Sequence, residues 1–199
     1  LERPAFEIHC SGRLYPRVKF FNRQYAKFCI YLSLTLRKEC LESQDPIKEF
    51  DFLGITIQYE MCYTNILQIL DLSGIPLMAK DRTEADPIVI GGGPCTYNPE
   101  PFCDFFDLIY IGEGETRYRE LLDLYLSCKN GNQSRKSFLE AAAMIPGIYV
   151  PSLYEVTYKE DGTIAERIPL VPGIPAVIAK EMVRQLCRRS ASLMSTTRT

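Results

Sequence analysis

Apolar and polar positions fall into short blocks along this chain, and the blocks are sharpest between residues 45 and 115. Residues 50–57 (FDFLGITI) form an apolar run that predicts a strand, with Gly54 marking a close approach by another element. Residues 62–72 predict an amphipathic helix with Cys62, Ile66, Ile69 and Leu70 on one face, stopped by Gly74 and Pro76. Residues 80–86 read as a charged surface loop, and Ile88, Val89 and Ile90 as the next strand. Together they make a β-α-β unit, for which a right-handed crossover is expected. Pro94, Pro99 and Pro101 then exclude a regular helix or a central strand, and residues 102–106 read as one helical turn. A third strand is predicted over residues 107–111 (DLIYI). A helix over 116–128 buries Tyr118, Leu121, Leu122 and Tyr125 and ends near Asn130-Gly131. Ser137 with Glu140 reads as a capping box for a short helix to Met144.

From Pro146 the character changes. Residues 148–159 are strand-like, Asp161-Gly162 is a hairpin turn signal, and residues 163–170 return. Pro172, Pro175 and the apolar Ala176, Val177 and Ile178 read as a linker-like exit, and RRSASLMSTTRT as a disordered polar tail. Residues 1–40 give no readable pattern: the run 28–36 (FCIYLSLTL) fits either a buried strand or part of a helix. The expected architecture is α/β, a Rossmann-like parallel sheet with flanking helices plus a C-terminal β-hairpin extension. The expected division is an N-terminal segment 1–40, the Rossmann-like domain 41–145, a hairpin connector 146–183 and a tail 184–199.

Composition narrows the function classes. The chain has 199 residues, 46% of them hydrophobic and 24% charged, enough for a packed core. A net charge of −2 gives no global reason to expect nucleic acid or an anionic membrane as partner. Basic residues do gather at Arg13, Arg17, Lys19, Arg23 and Lys27, which fits a solvated face or a phosphate-binding patch. No run approaches the ~20 apolar residues that span a bilayer, and the first residues carry no signal-peptide pattern. Eight cysteines are scattered without C-x-x-C or C-x3-C-x2-C spacing, and His9 is the one histidine. Zinc or iron–sulfur ligation within this chain is therefore not expected, and the cysteines fit buried small hydrophobes in a reducing cytoplasm. No Ser/His/Asp arrangement and no supported carboxylate pair is present, so no self-contained catalytic site is predicted.

The candidate chemistry sits in loops after the predicted strands. Gly91-Gly92-Gly93-Pro94 either lets backbone approach a flat or bulky ligand or makes a tight turn with positive φ angles. It is neither a G-x-x-x-x-G-K-[ST] phosphate loop nor a G-x-G-x-x-G fingerprint. Gly112-Glu113-Gly114-Glu115 bends the chain into a helix whose free N–H groups suit an acceptor, while its glutamates also suit the helix dipole. Asn98-Pro99-Glu100-Pro101 between them is rigid and polar, a cover for the rim or a plain turn. Tyr59 and Tyr63, at the end of the 50–57 strand, are placed to stack on a ring system or to pack the core. Loops at the carboxyl ends of parallel strands form one rim, where open α/β sheets bind ligands.

These words also occur together elsewhere. LESQDPIKEFDFLGITIQYEMCYTNILQILDLSGIPL, followed by DPIVIGGGPCTYNPEPFCDFFDLIYIGEGE, resembles the N-terminal region of a family of radical S-adenosylmethionine (SAM) proteins, a cobalamin-binding-like Rossmann domain. SRKSFLEAAAMIPGIYVPSLYEVTYKEDGT resembles the connector that leads into the radical barrel of that family. The likeness covers residues 41–183 and rests on the order and spacing of QYE, YTN, GGPC, NPEP and GEGE. It implies a corrinoid, cobalamin, with Thr56 and Gly91-Gly92 at the positions that surround its nucleotide tail, and the GEGE stretch at a loop usual in cobalamin-linked radical enzymes. On that basis Thr56, Tyr59, Gly91, Gly92, Gly93, Gly112 and Gly114 are candidate cofactor contacts through backbone or stacking, with no catalytic residue among them. The chain departs from the pattern at its start, in the tail after Val183 and in a missing cysteine motif. The Asp-x-His-x-x-Gly motif of ligand-replacing cobalamin domains has only a partial match in Glu7-Ile8-His9-Cys10-Ser11-Gly12, and residues 1–40 do not resemble the family. The cysteine motif for the iron–sulfur cluster is absent, so SAM and the cluster are expected only in a missing radical barrel, and this chain is expected to be a truncated member unable to cleave SAM alone. The implied partner is that barrel, as a domain or a separate chain. A different class of reading makes the domain an interaction module without cofactor, docking through an apolar patch of Phe102, Phe105 and residues 176–178. A nucleotide-binding Rossmann unit is disfavoured by the missing phosphate fingerprint.

Overall fold

The computed structural model describes residues 18–21, 46–114 and 117–183, the first stretch by its backbone alone. The run 28–36, most of the basic cluster, His9 and the tail after 183 lie outside the described residues. A five-stranded sheet takes the strands in chain order: β1 (Val18–Phe21), β2 (Phe52–Thr56), β3 (Ile88–Gly92), β4 (Leu108–Tyr110) and β5 (Ile148–Tyr149). The first four are parallel and β5 is antiparallel to β4. The α/β sheet with flanking helices and a C-terminal hairpin is thus as the pattern predicts. Two strands go beyond it. β1 lies in the stretch that carries no readable pattern, and β5 extends the sheet past residue 145. Because the described strands follow chain order, none of them reverses to open a switch-point crevice; the rim at the carboxyl ends remains.

Strands β2, β3 and β4 are buried nearly throughout because helices and aromatic turns cover both faces. Residues paired across parallel strands point the same way, so Phe52 and Ile88 share one face while Leu53, Val89 and the rest of the alternate set share the other. The Phe52 face meets Tyr125 of α2 (Tyr118–Asn130), ring centroids 4.6 Å apart, and Phe138 of α3 (Arg135–Ala142), 6.1 Å apart. On the opposite face Phe106 lies against Gly91, Phe102 against Phe106 at 5.6 Å, and Tyr63 of α1 (Tyr63–Leu72) against Phe102 at 5.0 Å. Helix α1 buries Ile66, Ile69 and Leu70. It closes on a left-handed Gly74 (φ 66°), with Gly74 N–H donating to Asp71 and Ile75 N–H to Leu70, the paired bonds of a glycine C-terminal cap.

Two local expectations are corrected. The 80–86 stretch is a charged surface loop only in part: Lys80, Asp81 and Glu84 are exposed, but Arg82 and Asp86 are buried. Arg82 reaches Asp107 at 2.8 Å, and so does Arg135 of α3. Helix α3 is capped by Ser134, whose hydroxyl accepts from Ser137 N–H, one turn before the expected capping box. After β5 the strand-like run breaks at Pro151, and β6 (Tyr154–Tyr158) with β7 (Ile164–Pro169) forms a separate hairpin turning at a left-handed Gly162. Arg167 docks the hairpin on the body, 2.6 Å from Glu100 and over the Tyr149 ring. Among the described residues no helix is long and apolar enough to cross a membrane.

Candidate functional site

The rim is built where β2, β3 and β4 end. Thr56 pairs with Gly92, and the two chains stay stitched past the strands: Ile57 N–H donates to Gly92 O at 2.6 Å, and Cys95 N–H to Ile57 O at 3.2 Å. The three glycines that follow are not equivalent. A Cβ at Gly91 would stand 3.1 Å from the Phe106 ring, so Gly91 is packed by the protein itself. Gly93 has φ +99°, and a Cβ there would stand 2.7 Å from Ile57 O, so this position needs glycine for the turn and for the approach. At Gly92 an added Cβ would meet nothing within 4 Å and the backbone is ordinary. Thr56 stands beside it in the sheet, half-buried.

Tyr59, half-buried, precedes a short turn over Glu60–Cys62, and its carbonyl accepts from Cys62 N–H at 3.2 Å and from the Cys62 thiol at 2.9 Å. Tyr63 packs on Phe102; burial first, then the charges of Cys95 and Glu60, raises its phenol above the ordinary value. Burial likewise raises the Cys95 thiol, with Glu60 adding to it. The structure thus gathers Thr56, Gly91, Gly92 and Gly93 at adjoining strand ends, with Tyr59 just beyond. Gly112 and Gly114 lie at the next strand end. Gly112 has φ +124° and bridges in parallel to Glu181, whose backbone occupies the place of a Gly112 Cβ. Gly114 accepts from Tyr118 N–H at 3.0 Å, at the start of α2. Of the expected apolar patch Phe102 takes no part, being 2% exposed between Tyr63 and Phe106, while Phe105 is half-buried and Val177 is exposed. Met61 and Tyr97, in the turns after β2 and β3, are exposed, as are Val177, Met182 and Val183 of the exit segment.

Sequence reasoning also missed the return of the exit segment to this rim. Lys180 stands over the Tyr97 ring at 5.2 Å, and Val183 N–H donates to a Glu113 carboxylate 70 residues away in the chain. No local pattern marks a contact of that separation. Among the described residues no group of three or more His, Cys, Asp or Glu is placed to hold a metal ion. A corrinoid fits this site only in part. The glycine at 92 is open to it, but the layers beneath are filled by Phe106 on one face and by Phe52, Tyr125 and Phe138 on the other.

The family described as radical SAM proteins, N-terminal, matches residues 31–151, more than half of the sequence. The chain belongs to that family. It is 38% identical over 88 residues to the uncharacterized protein MJ0966 of Methanocaldococcus jannaschii, a stretch covering 43% of this chain and 18% of that relative. No solved structure matches it.

Proposed function

We propose that this domain serves a radical SAM protein by holding a corrinoid on its carboxyl rim, over Gly92 and beside Thr56. The observation that carries this reading is the open space at Gly92, which the packing of the chain leaves unfilled while it fills the places beside Gly91 and Gly93. Gly92 admits a bulky group to the backbone, the Thr56 hydroxyl offers a hydrogen bond, and Tyr59 offers a ring at the edge. A bound corrinoid supplies organometallic cobalt chemistry, and the protein's part is to bind and orient it. SAM and the iron–sulfur cluster belong, in this proposal, to a radical barrel on the same polypeptide or on a separate chain. The reading also puts the protein in a reducing cytoplasm, supported by the unpaired thiols of Cys62, Cys95, Cys103 and Cys128.

A second reading, a docking module without cofactor, is favoured by the exposure of Met61, 80%, after β2 and of Val177, 82%, in the exit segment. Anaerobic titration with hydroxocobalamin, followed by visible absorbance after desalting, separates the two. Near-stoichiometric retention that is lost on Gly92→Val supports the corrinoid seat. The Cβ of the added side chain stands in open space, so the variant is expected to stay folded, which far-UV circular dichroism checks. A folded wild-type sample that retains none overturns the corrinoid proposal and leaves docking ahead.

A further inference from the structure

Lys180, Glu181 and Val183 of the exit segment tie together the loop after β3 and the loop between β4 and α2. Lys180 lies over Tyr97, in the turn after β3. Glu181 N–H donates to Ile111 O and Glu181 O accepts from Glu113 N–H, both at 3.0 Å, beyond β4. The Glu181 carboxylate faces Arg117, ahead of α2, at 3.7 Å. Val183 N–H donates to Glu113. Two glycines with positive φ make room for this path. Gly112 (φ +124°) would drive a Cβ into the Glu181 backbone, and Gly147 (φ +81°) would place one 2.9 Å from Glu181 Cγ and 3.1 Å from Ile111 O. A left-handed glycine is commonplace; two of them from distant loops facing one residue is a fitted contact.

We propose that residues 180–183 are a strap, held as an added strand on the extension of β4, and that Gly112 is glycine in order to seat that strap. The strap closes the β3–β4 part of the rim and leaves the β2–β3 part, at Thr56 and Gly92, as the open part. The strap stands independently of whether a corrinoid binds, because every contact in it is made by this chain.

Hydrogen exchange of the full chain, read by mass spectrometry on peptides covering 178–183 and 88–92, tests it. Gly112→Ala forces either a strained backbone or a displaced Glu181, and exchange in 178–183 is expected to rise about tenfold or more while 88–92 keeps its protection. Glu181→Pro removes the N–H that bonds Ile111 without touching the core, and is expected to do the same. Gly92→Ala, a glycine change on the open part of the rim, is expected to leave 178–183 protected. The proposal is overturned if neither Gly112→Ala nor Glu181→Pro speeds exchange in 178–183. It is equally overturned if 88–92 loses protection in step, since Gly112 would then support the core and not the strap.

Discussion

Replacing Asp107 with asparagine attacks the most deeply buried carboxylate in the described structure. One oxygen, Asp107 Oδ2, accepts from Arg82 and from Val89 N–H and forms an ion pair with Arg135, each at 2.8 Å. The side chains of Arg82 and Asp107 are 0% and 1% exposed. Burial pulls the Arg82 guanidinium below its ordinary value, and Asp107 opposes that pull. Asparagine keeps the shape and one acceptor for Val89, but leaves two guanidiniums without a counter-charge. Removing one partner of a buried pair costs about 3–5 kcal/mol. At roughly 2–4 °C per kcal/mol for a domain of this size, the midpoint should fall by about 10 °C. Lys48→Met is the control, because the Lys48–Asp86 pair at 3.2 Å has a half-exposed lysine and should be worth about 1 kcal/mol or less. Thermal unfolding followed by far-UV circular dichroism measures both. If Asp107→Asn shifts the midpoint no more than Lys48→Met does, the network is not what locks the amino ends of β3 and β4.

Three further outcomes follow from the same coordinates. Gly91→Ala presses a Cβ against Phe106 and should cost about 1–3 kcal/mol, whereas Gly92→Ala enters open space and should stay within about 0.5 kcal/mol, as compared by thermal unfolding. Burial, then Glu100 and Asp104, pushes the Cys103 thiol up to about 12; native alkylation at pH 8 should therefore label half-buried Cys62 and Cys95 well before Cys103, as peptide mass spectrometry would show. At Asp86 burial alone would raise the carboxyl, but hydrogen bonds from Thr83 and Lys48 outweigh it and hold the group below the usual aspartate range. Its stabilisation is therefore present above the unfolded value of about 3.9 and is lost as pH falls through the lower folded value, so Asp86→Asn should flatten acid unfolding there.

What the chain declares locally was legible, and what depends on distant partners was not. FLGIT and IVIGG announce buried strands because both faces of the sheet are covered, and α1 announces itself by Ile66, Ile69 and Leu70 at helical spacing and by Gly74 at its end. Arg82 reads as a surface charge because its counter-ion arrives from 25 residues away. Strand β5 is two residues long and is defined by pairing with β4, so no periodicity can reveal it. Ser134 and Ser137 both carry a capping hydroxyl; only the backbone decides that Ser134 takes the cap. At the rim, the glycines were legible as a group but not one by one, because a glycine that packs against a ring and a glycine that faces open space look alike in sequence.

That distinction narrows the site. Gly91 answers to Phe106, Gly93 to the Ile57 backbone and Gly112 to Glu181, so the chain's own packing accounts for glycine at each of these positions. Gly92 is the one of the four with ordinary backbone and no neighbour for its missing side chain. The two ends of the sheet are also treated differently. The amino ends of β3 and β4 are fixed by Asp107 and its arginines, with Arg82 donating as well to the carbonyls of Pro76, Leu77 and Phe105. A binding rim needs such a rigid support, because a site set on loops is only as well placed as the strands beneath it. Selection for that support and for a bare Gly92 would leave the lock sensitive to Asp107→Asn in stability, and Gly92→Val sensitive in ligand retention alone. A variant pair that fails to separate in this way would mean that the rim and the lock are one structural unit, and Gly92 would lose its standing as a seat for anything.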